Sequence, residues 1–243
     1  MPLKLTCFER DNMLTEKEFL ASYNENEYEK PSVAVDLLVF TIENDRLKIV
    51  LIERSEHPFK NALSLPGVFV GMNETLDQAA ERGISEEAGL HDIYFEQLYT
   101  WGALDRDPRM RIISVSYLSL THSDRIKLSA GKRTESAALY DVDELLASDA
   151  ALAFDHREII KYGRERIKNK VEYSNIAFEL LPEEFTLPKL QKVYEILLGR
   201  PLHKANFRRK IAPIIEETEH MTSGDAHRPS KYYKLKKSAS AEL

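Results

Sequence analysis

The sequence predicts an α+β chain in two parts, a domain of mixed strands and helices followed by a small helical domain closed by a β-hairpin. Three observations carry that prediction. In the first half, apolar runs of strand-forming residues alternate with one strongly periodic helix. The end of the second half holds two short amphipathic segments joined by a tight turn, then two more strand-like runs. The charge also divides: the 243-residue chain has a net charge of -6, yet residues 155–243 carry 18 Lys and Arg against 13 Asp and Glu, leaving 16 against 27 before them. A net charge of +5 beside one of -11 points to separate partners for the two parts; two ordinary solvated surfaces are the plain alternative.

Length and composition set the frame. Such a chain is long enough for about two domains, and hydrophobic and charged shares of 43% and 30% are those of a globular protein. Cys7 is the single cysteine, which excludes an intramolecular disulfide and a cysteine-based zinc site. Residues Met1 to Tyr28 are polar and acidic with no apolar segment, unlike a secretory signal. No apolar run approaches the roughly 20 residues that span a bilayer, so the expected location is the cytoplasm and no membrane partner is expected. The expected division is an extension over 1–29, an α+β domain over 30–153, and a linker helix with the second domain over 154–243.

From Val33 the chain reads VAVDLLVFTI, then ENDR, then LKIVLIER, two β-rich runs around a polar break, which is a hairpin pattern. After SLPGVFV comes GMNETLDQAAERGISEEAGL, in which Ala79, Ala80, Ile84 and Ala88 recur at helical spacing and Gly89 stands as a C-cap. RIISVSYLSL from Arg111 is another strand, and ESAALYDVDELL passes from strand into a short helix.

The loop and helix after Leu65 resemble the Nudix box, G-x5-E-x7-R-E-U-x-E-E-x-G-U with U a bulky aliphatic residue. The match takes in Glu74, Arg82, Ile84, Glu86, Glu87, Gly89 and Leu90, preceded by the family's Leu65-Pro66-Gly67. Positions 83, 86 and 87 share one helical face, where carboxylates grip hard cations that bridge a pyrophosphate and activate water. Here position 83 is Gly83, where the family has the first glutamate of that cluster, and Val68 stands where the box begins with glycine. Gly83 supplies no ligand, and a helix-interior glycine costs about 1 kcal/mol relative to Ala. Asn73 also replaces a usual glycine, but asparagine tolerates the left-handed conformation. Glu86 and Glu87 remain the candidate metal ligands and, were the domain catalytic, the catalytic pair; Arg82 with Glu86 also reads as a plain i, i+4 ion pair. Magnesium is the cofactor this implies, and none is needed by a pure binder. Arg54, ending the second strand, and Arg109, in the loop Asp105-Arg106-Asp107-Pro108-Arg109, suit bidentate phosphate recognition. With Glu74, Arg82, Glu86 and Glu87 they form the candidate effector set. His57 and Trp101 have the rings to stack on a base, though packing accounts for each as well.

In the second half, Asp155 and Glu158 have capping-box spacing at the start of HREIIKYGRERIKNK, a charged connecting helix. After the turn-like LLPEEFT, LPKLQKVYEILLG places Leu187, Leu190, Val193, Tyr194, Leu197 and Leu198 on one stripe, with Pro188 near its start and Gly199 past its end. RPLH leads into KANFRRKIA, which Pro213 ends. With Phe207 and Ile211 toward the core, Asn206 and Arg209 face outward and suit adenine and guanine edges, while Lys204, Arg208 and Lys210 suit phosphates. IIEETEHM and KYYKLKK read as strands around TSGDAHRPS, a wing carrying His227, Arg228 and Lys231. An ordinary exposed basic helix is the competing reading.

SEHPFKNALSLPG, LAFDH at Leu152 to His156, FTLPKLQKVYEILLGRPL and NFRRK are similar to segments of the Nudix-related transcriptional regulators. That resemblance implies a Nudix α/β/α sandwich followed by a winged helix-turn-helix, a homodimer, double-stranded operator DNA as partner, and ADP-ribose or a related metabolite as effector. The alternative is a magnesium-dependent hydrolase of a nucleoside diphosphate derivative, with the C-terminal domain an interaction module. Glu74, Glu86 and Glu87 speak for it, and Gly83 and Val68 against. A scaffold with neither activity is the third reading.

Overall fold

The computed structural model describes residues 14–91, 93–126, 128, 134–222 and 230–242. The chain divides into two compact units between Pro31 and Ser32. In the first, helix α1 (Glu16–Ser22) buries no residue and is held by a capping box between Thr15 and Glu18.

The second unit is built around β1 (Ser32–Glu43), which turns through Asn44 and Asp45 into β2 (Arg46–Arg54). Both turn residues have positive φ, 52° and 61°, as a two-residue hairpin loop requires and as Asn and Asp tolerate. The two strands pair from Phe40 to Glu43 and then part. Into the gap come β3 (Leu63–Ser64), paired with β2, and β4 (Gly67–Phe69), paired with β1 at Ala34 to Asp36. The Leu37 amide donates to the Pro66 carbonyl at 2.8 Å, so the Leu-Pro-Gly turn is sewn into the sheet. Gly67 is required there: a Cβ would stand 2.9 Å from the Val35 carbonyl oxygen.

Helix α2 (Leu76–Ala88) starts in a Thr75–Gln78 capping box and ends at Gly89, whose φ is 63°. Strands β5 (Phe95–Trp101) and β6 (Ile112–Leu120) follow, with β6 parallel to β1 and β5 antiparallel to β6. The sheet runs β3-β2-β1-β6-β5, and β7 (Thr134–Asp141) also pairs with β2. Short α3 (Val142–Ala147) leads to α4 (His156–Lys170). Alternation along β1 sends Val35, Leu37 and Val39 to Ala79, Ala80 and Ile84 of α2, and Leu38 and Phe40 to Ile159 and Ile160 of α4. A helix on each face of the sheet makes the α/β/α sandwich.

After a 3-10 turn over Ile176–Leu180 come β8 (Phe185–Thr186), α5 (Leu187–Leu198), α6 (Lys204–Ile211), β9 (Ile215–Met221) and β10 (Lys231–Leu235), the strands ordered β8-β10-β9. This is a winged helix-turn-helix. Thr186 caps α5, and Gly199 closes it at φ 68°. LLPEEFT is not wholly a turn: its last two residues form β8 by pairing with Tyr232 and Tyr233, a partner far along the chain.

Helix α4 is more than a connector with a solvated face. Ile159, Ile160, Gly163 and Ile167 are buried, and a Cβ on Gly163 would run into Leu38 Cδ2 and stand 3.5 Å from Phe40 Cε2. The same apolar cluster continues from Leu38 through Ile167 to Leu190, Leu197, Phe207 and Ile215, so both domains share one core. Arg164 fastens α4 to α5, donating to the Leu197 carbonyl at 2.6 Å and the Ile196 carbonyl at 3.3 Å, two acceptors that the end of a helix leaves open. Among the described residues no helix is long and apolar enough to cross a membrane.

The start of α4 is held by charge. The spacing of Asp155 and Glu158 suggests a capping box, but the Asp155 side chain makes no cap hydrogen bond. Instead Arg106 grips both its oxygens, at 3.0 and 2.8 Å, and reaches Asp36 of β1 at 3.0 Å. A buried guanidinium offers the carboxylate a stronger, charge-assisted partner than a helix amide does. His156 accepts from the Leu65 amide at Nδ1, 2.9 Å, and turns Nε2 toward Asp36 at 3.6 Å. Burial alone would raise the Asp36 carboxyl, yet His156, Arg106 and the Ser114 hydroxyl together hold it down at about 2.

Two expected outcomes follow. Gly163→Ala, a stabilising change in an exposed helix by about 1 kcal/mol, here destabilises by about 1–3 kcal/mol through overpacking; a urea midpoint equal to or above that of the parent contradicts the packing described. Arg106→Met costs about 3–5 kcal/mol near neutral pH, because it leaves the buried Asp36 and the half-buried Asp155 short of their cation. The Asp36 pKa of about 2 lies below its ordinary 3.8, so the stability it contributes is complete above about pH 4 and lost as pH falls toward 2. The difference between parent and variant, followed by denaturation at several pH values, therefore narrows over that window.

Candidate functional site

The Nudix-box helix, α2, is tied to its preceding loop by one clamp. Arg82 donates to Glu74 at 3.1 and 2.7 Å and to the Phe69 carbonyl at 3.0 Å, while the Gly71 amide donates to Glu74 at 2.6 Å. The bonds from Arg82 and then Gly71 hold the Glu74 carboxyl at about 2. Glu86 is exposed and pairs with Arg82 at 3.3 Å; the side chain of Glu87 lies outside the described residues. Glu74 and Arg82, read from sequence as effector contacts, are thus engaged with each other and with the loop backbone.

The two departures from the box meet in space. A Cβ on Gly83 would stand 2.9 Å from Leu37 Cδ1 and 3.1 Å from Val68 Cγ2. Val68 therefore fills the room through which a side chain at position 83 would leave the helix. The glycine is not idle, as helix propensity alone suggests; its missing side chain admits the valine. The described residues do not supply a ligand set for the divalent cation that the Nudix fold implies. An apolar side chain takes the place of the first ligand, Glu74 is engaged by Arg82, and among the described residues no three His, Cys, Asp or Glu side chains come together as a ligand set.

A different group converges nearby. Arg54 lies over the Phe154 ring, its Cζ 4.9 Å from the centroid, and Arg109 lies 5.7 Å from the same ring and 5.8 Å from that of Phe69. Phe59 meets Phe154 edge-on at 4.9 Å. Arg109 is held by both oxygens of Asp107, at 3.0 and 2.8 Å, whereas Arg54 donates to the backbone carbonyls of Pro58, 2.8 Å, and Glu56, 3.5 Å. Burial, then the Arg109 cation, hold the Arg54 guanidinium below the usual arginine value, with Asp107 and Glu56 acting the other way. Two guanidinium groups set against one aromatic ring suit a planar or anionic ligand. His57 is exposed on the adjoining loop. Trp101 is engaged in packing: it bonds the Ser116 hydroxyl at 2.9 Å and rests against Tyr99 and Tyr162.

In the winged helix, Phe207 and Ile211 are buried, and the Phe207 ring packs on Tyr194 at 5.3 Å. That anchoring leaves Lys204, Asn206, Arg208 and Arg209 exposed on α6, with Arg209 Nη2 and Asn206 Oδ1 3.5 Å apart. Lys210 turns back to the Glu172 carbonyl, 3.0 Å, and Lys231 on β10 pairs with Glu217 at 2.5 Å. Arg228 and His227 lie outside the described residues.

Sequence reasoning missed Phe154, Phe59, Phe69, Arg106 and Asp36. Phe154 sits within LAFDH, already noted as a family-like segment, which was its available signal; nothing in the sequence places Asp36, 70 residues away, against Arg106.

Comparisons with known proteins agree with the fold. The family model described as NUDIX domain matches residues 30–162, and that described as NrtR DNA-binding winged helix domain matches residues 177–235. The chain is 33% identical over 230 residues, 93% of its length and 90% of the relative's, to the ADPR responsive transcriptional repressor NtrR of Acinetobacter baylyi. It is 40% identical over 134 residues, 55% of its length and 73% of the relative's, to an ADP-ribose pyrophosphatase of Methanocaldococcus jannaschii. Its structure resembles Shewanella oneidensis NrtR complexed with a 27mer DNA, with TM-score 0.76 and 32% identity over 86% of this chain and 96% of that one. The NUDIX domain of the same protein complexed with ADP ribose matches 63% of this chain and 99% of its own, with TM-score 0.57 and 32% identity. The chain, with its Nudix sandwich and winged helix joined through one core, belongs to the NrtR family of Nudix-related transcriptional regulators.

Proposed function

We propose that this chain is an ADP-ribose-responsive repressor whose Nudix domain binds the effector without hydrolysing it and whose winged helix binds operator DNA. The observation that carries the receptor reading is the fit of Val68 against Gly83, which removes the cation ligand and fills its space. What remains is a binding recess rather than a hydrolytic centre. Arg54 and Arg109 supply forked donors for a diphosphate, and Phe154 and Phe69 supply flat apolar surface for ribose or base. No step requires a metal ion.

The DNA-binding reading rests on α6, whose buried Phe207 and Ile211 present Asn206 and Arg209 outward with Lys204 and Arg208 beside them. The helix has 8 residues and is about 12 Å long, enough for one stretch of major groove. A homodimer reading two half-sites completes the proposal. Regulation requires that ADP-ribose favour one arrangement of the two α6 helices over another, since equal affinity for both shifts nothing. The hydrolase alternative has the Methanocaldococcus jannaschii relative in its favour and the filled cation position against it.

Operator fragments from upstream of its own and neighbouring genes, titrated at one stated salt concentration, are expected to bind tightly and to be released by ADP-ribose. Arg54→Ala and Arg109→Ala each weaken ADP-ribose binding by about 10- to 100-fold, the worth of hydrogen bonds to a charged group, and leave operator affinity without ligand unchanged. Tight operator binding indifferent to ADP-ribose sends the search to another effector, while rapid hydrolysis with magnesium, abolished by Glu87→Gln, overturns the receptor reading. Gly83→Ala is expected to lower stability by about 1–3 kcal/mol rather than raise it, and Val68→Ala in the same chain to recover part of the loss. A higher melting temperature for the single variant is the contrary result.

A further inference from the structure

We propose that Phe154 is the residue that passes occupancy of the Arg54–Arg109 recess to the winged helix, with α4 as the lever. This rests on the reading of that recess as the effector site. Phe154 precedes α4, the helix that Arg164 fastens to α5. Its ring is the surface against which both guanidinium groups lie, and the next residue, Asp155, begins α4.

The backbone around it is fixed on both sides. The Leu63 amide donates to the Ala151 carbonyl at 3.0 Å and the Ala153 amide to the Leu63 carbonyl at 2.8 Å, so the approach to Phe154 is sewn to β3. Beyond it, Arg106 binds Asp155 to Asp36 of β1. Between these anchors Phe154 has a φ of 53°, a region that bulky side chains rarely occupy and that is strained where it occurs. A turn hydrogen bond from the His156 amide to the Ala153 carbonyl, 3.2 Å, spans it, and the ring meets Arg54, Arg109, Phe59 and, at 5.2 Å, His156. An anion that draws the two arginines to itself, or a base that stacks on the ring, removes or replaces those contacts. Where the Phe154 ring sits, and with it the strain at the head of α4, therefore depends on what fills the recess.

A change there has a route outward. Helix α4 has 15 residues and spans about 22 Å, and its Arg164 holds the last carbonyls of α5. Immediately after them Gly199 turns the chain toward α6. A tilt of α4 at its first residue thus reaches the reading helix through two hydrogen bonds and a continuous core, not through a flexible linker.

The test separates coupling from binding, using full-length protein, ADP-ribose as probe and one operator fragment at fixed salt. For the parent, the ratio of operator dissociation constants with and without saturating ADP-ribose measures the coupling, in the range of about 5- to 150-fold. By linkage the operator weakens ADP-ribose binding by the same factor. Phe154→Gly keeps the left-handed backbone accessible and removes the ring. With saturation confirmed by calorimetry on the variant itself, its ratio is expected to fall to within about twofold of 1 while ligand-free operator affinity stays as in the parent, a loss of nearly the whole coupling. Arg164→Met, remote from both ligands, is expected to lower the ratio with ADP-ribose affinity unchanged. It decides the matter if Phe154→Gly does not fold or cannot be saturated. A saturated Phe154→Gly, or failing that an Arg164→Met, that retains the parental ratio overturns the proposal. A parent whose operator affinity ignores ADP-ribose overturns the effector reading beneath it, and that failure is read before any variant is made.

Discussion

The arrangement of this molecule depends on where α4 begins, and that point is set by one buried cation. Arg106 is shared between Asp36, in the central strand, and Asp155, at the head of the helix. Bringing three charged groups out of water is costly and is repaid only when their geometry is good and the remaining lone pairs are met. Here the Ser114 hydroxyl completes Asp36 at 2.5 Å and His156 faces it from α4. The interaction contributes position more than stability. With its start fixed, α4 lies along the sheet, Gly163 passes over Leu38, and the winged helix is carried at a defined place on the same core.

The same economy governs the Nudix-box helix. Gly83 and Val68 look like two independent losses when read along the chain, one of a ligand and one of a flexible loop residue. In space they are a single packing event, because the valine occupies what the glutamate would need. Clamping of the loop by Glu74 and Arg82 survives unchanged, which shows that the box has a structural part separable from its cation-binding part. Here the first part is present and the place of the missing glutamate is filled.

This division explains why the recess is populated by residues outside the box. Arg54 closes β2, Arg109 belongs to the loop before β6, and Phe154 to the segment before α4. Each comes from a different element, and they meet because β1 and β2 part after their short pairing and admit the Leu-Pro-Gly turn between them. The Arg54–Arg109–Phe154 cluster lies against the segment that leads from the Nudix sandwich into α4.

Much of the architecture was legible in the sequence because it is local. Apolar runs of strand-forming residues produced β1, β2 and β6, periodic Ala79, Ala80 and Ile84 with Gly89 produced α2, and the stripe ending at Gly199 produced α5. Backbone and side-chain periodicity state these within a few turns of chain, and the spacing of box residues identifies the Nudix helix in the same way. Two-residue β8 was not legible, since it exists only by pairing with Tyr232 and Tyr233. Nor was the true partner of Asp155: local spacing offers a cap, and a distant arginine outbids it. Arg54 and Arg109 were nameable as phosphate-type side chains, but not their meeting over Phe154. What the sequence by itself determined was therefore the set of elements and the chemistry at hand. Which charges are buried together, and that Val68 stands where a carboxylate would, only the tertiary structure decided, because those contacts join residues whose separation along the chain carries no periodic signal.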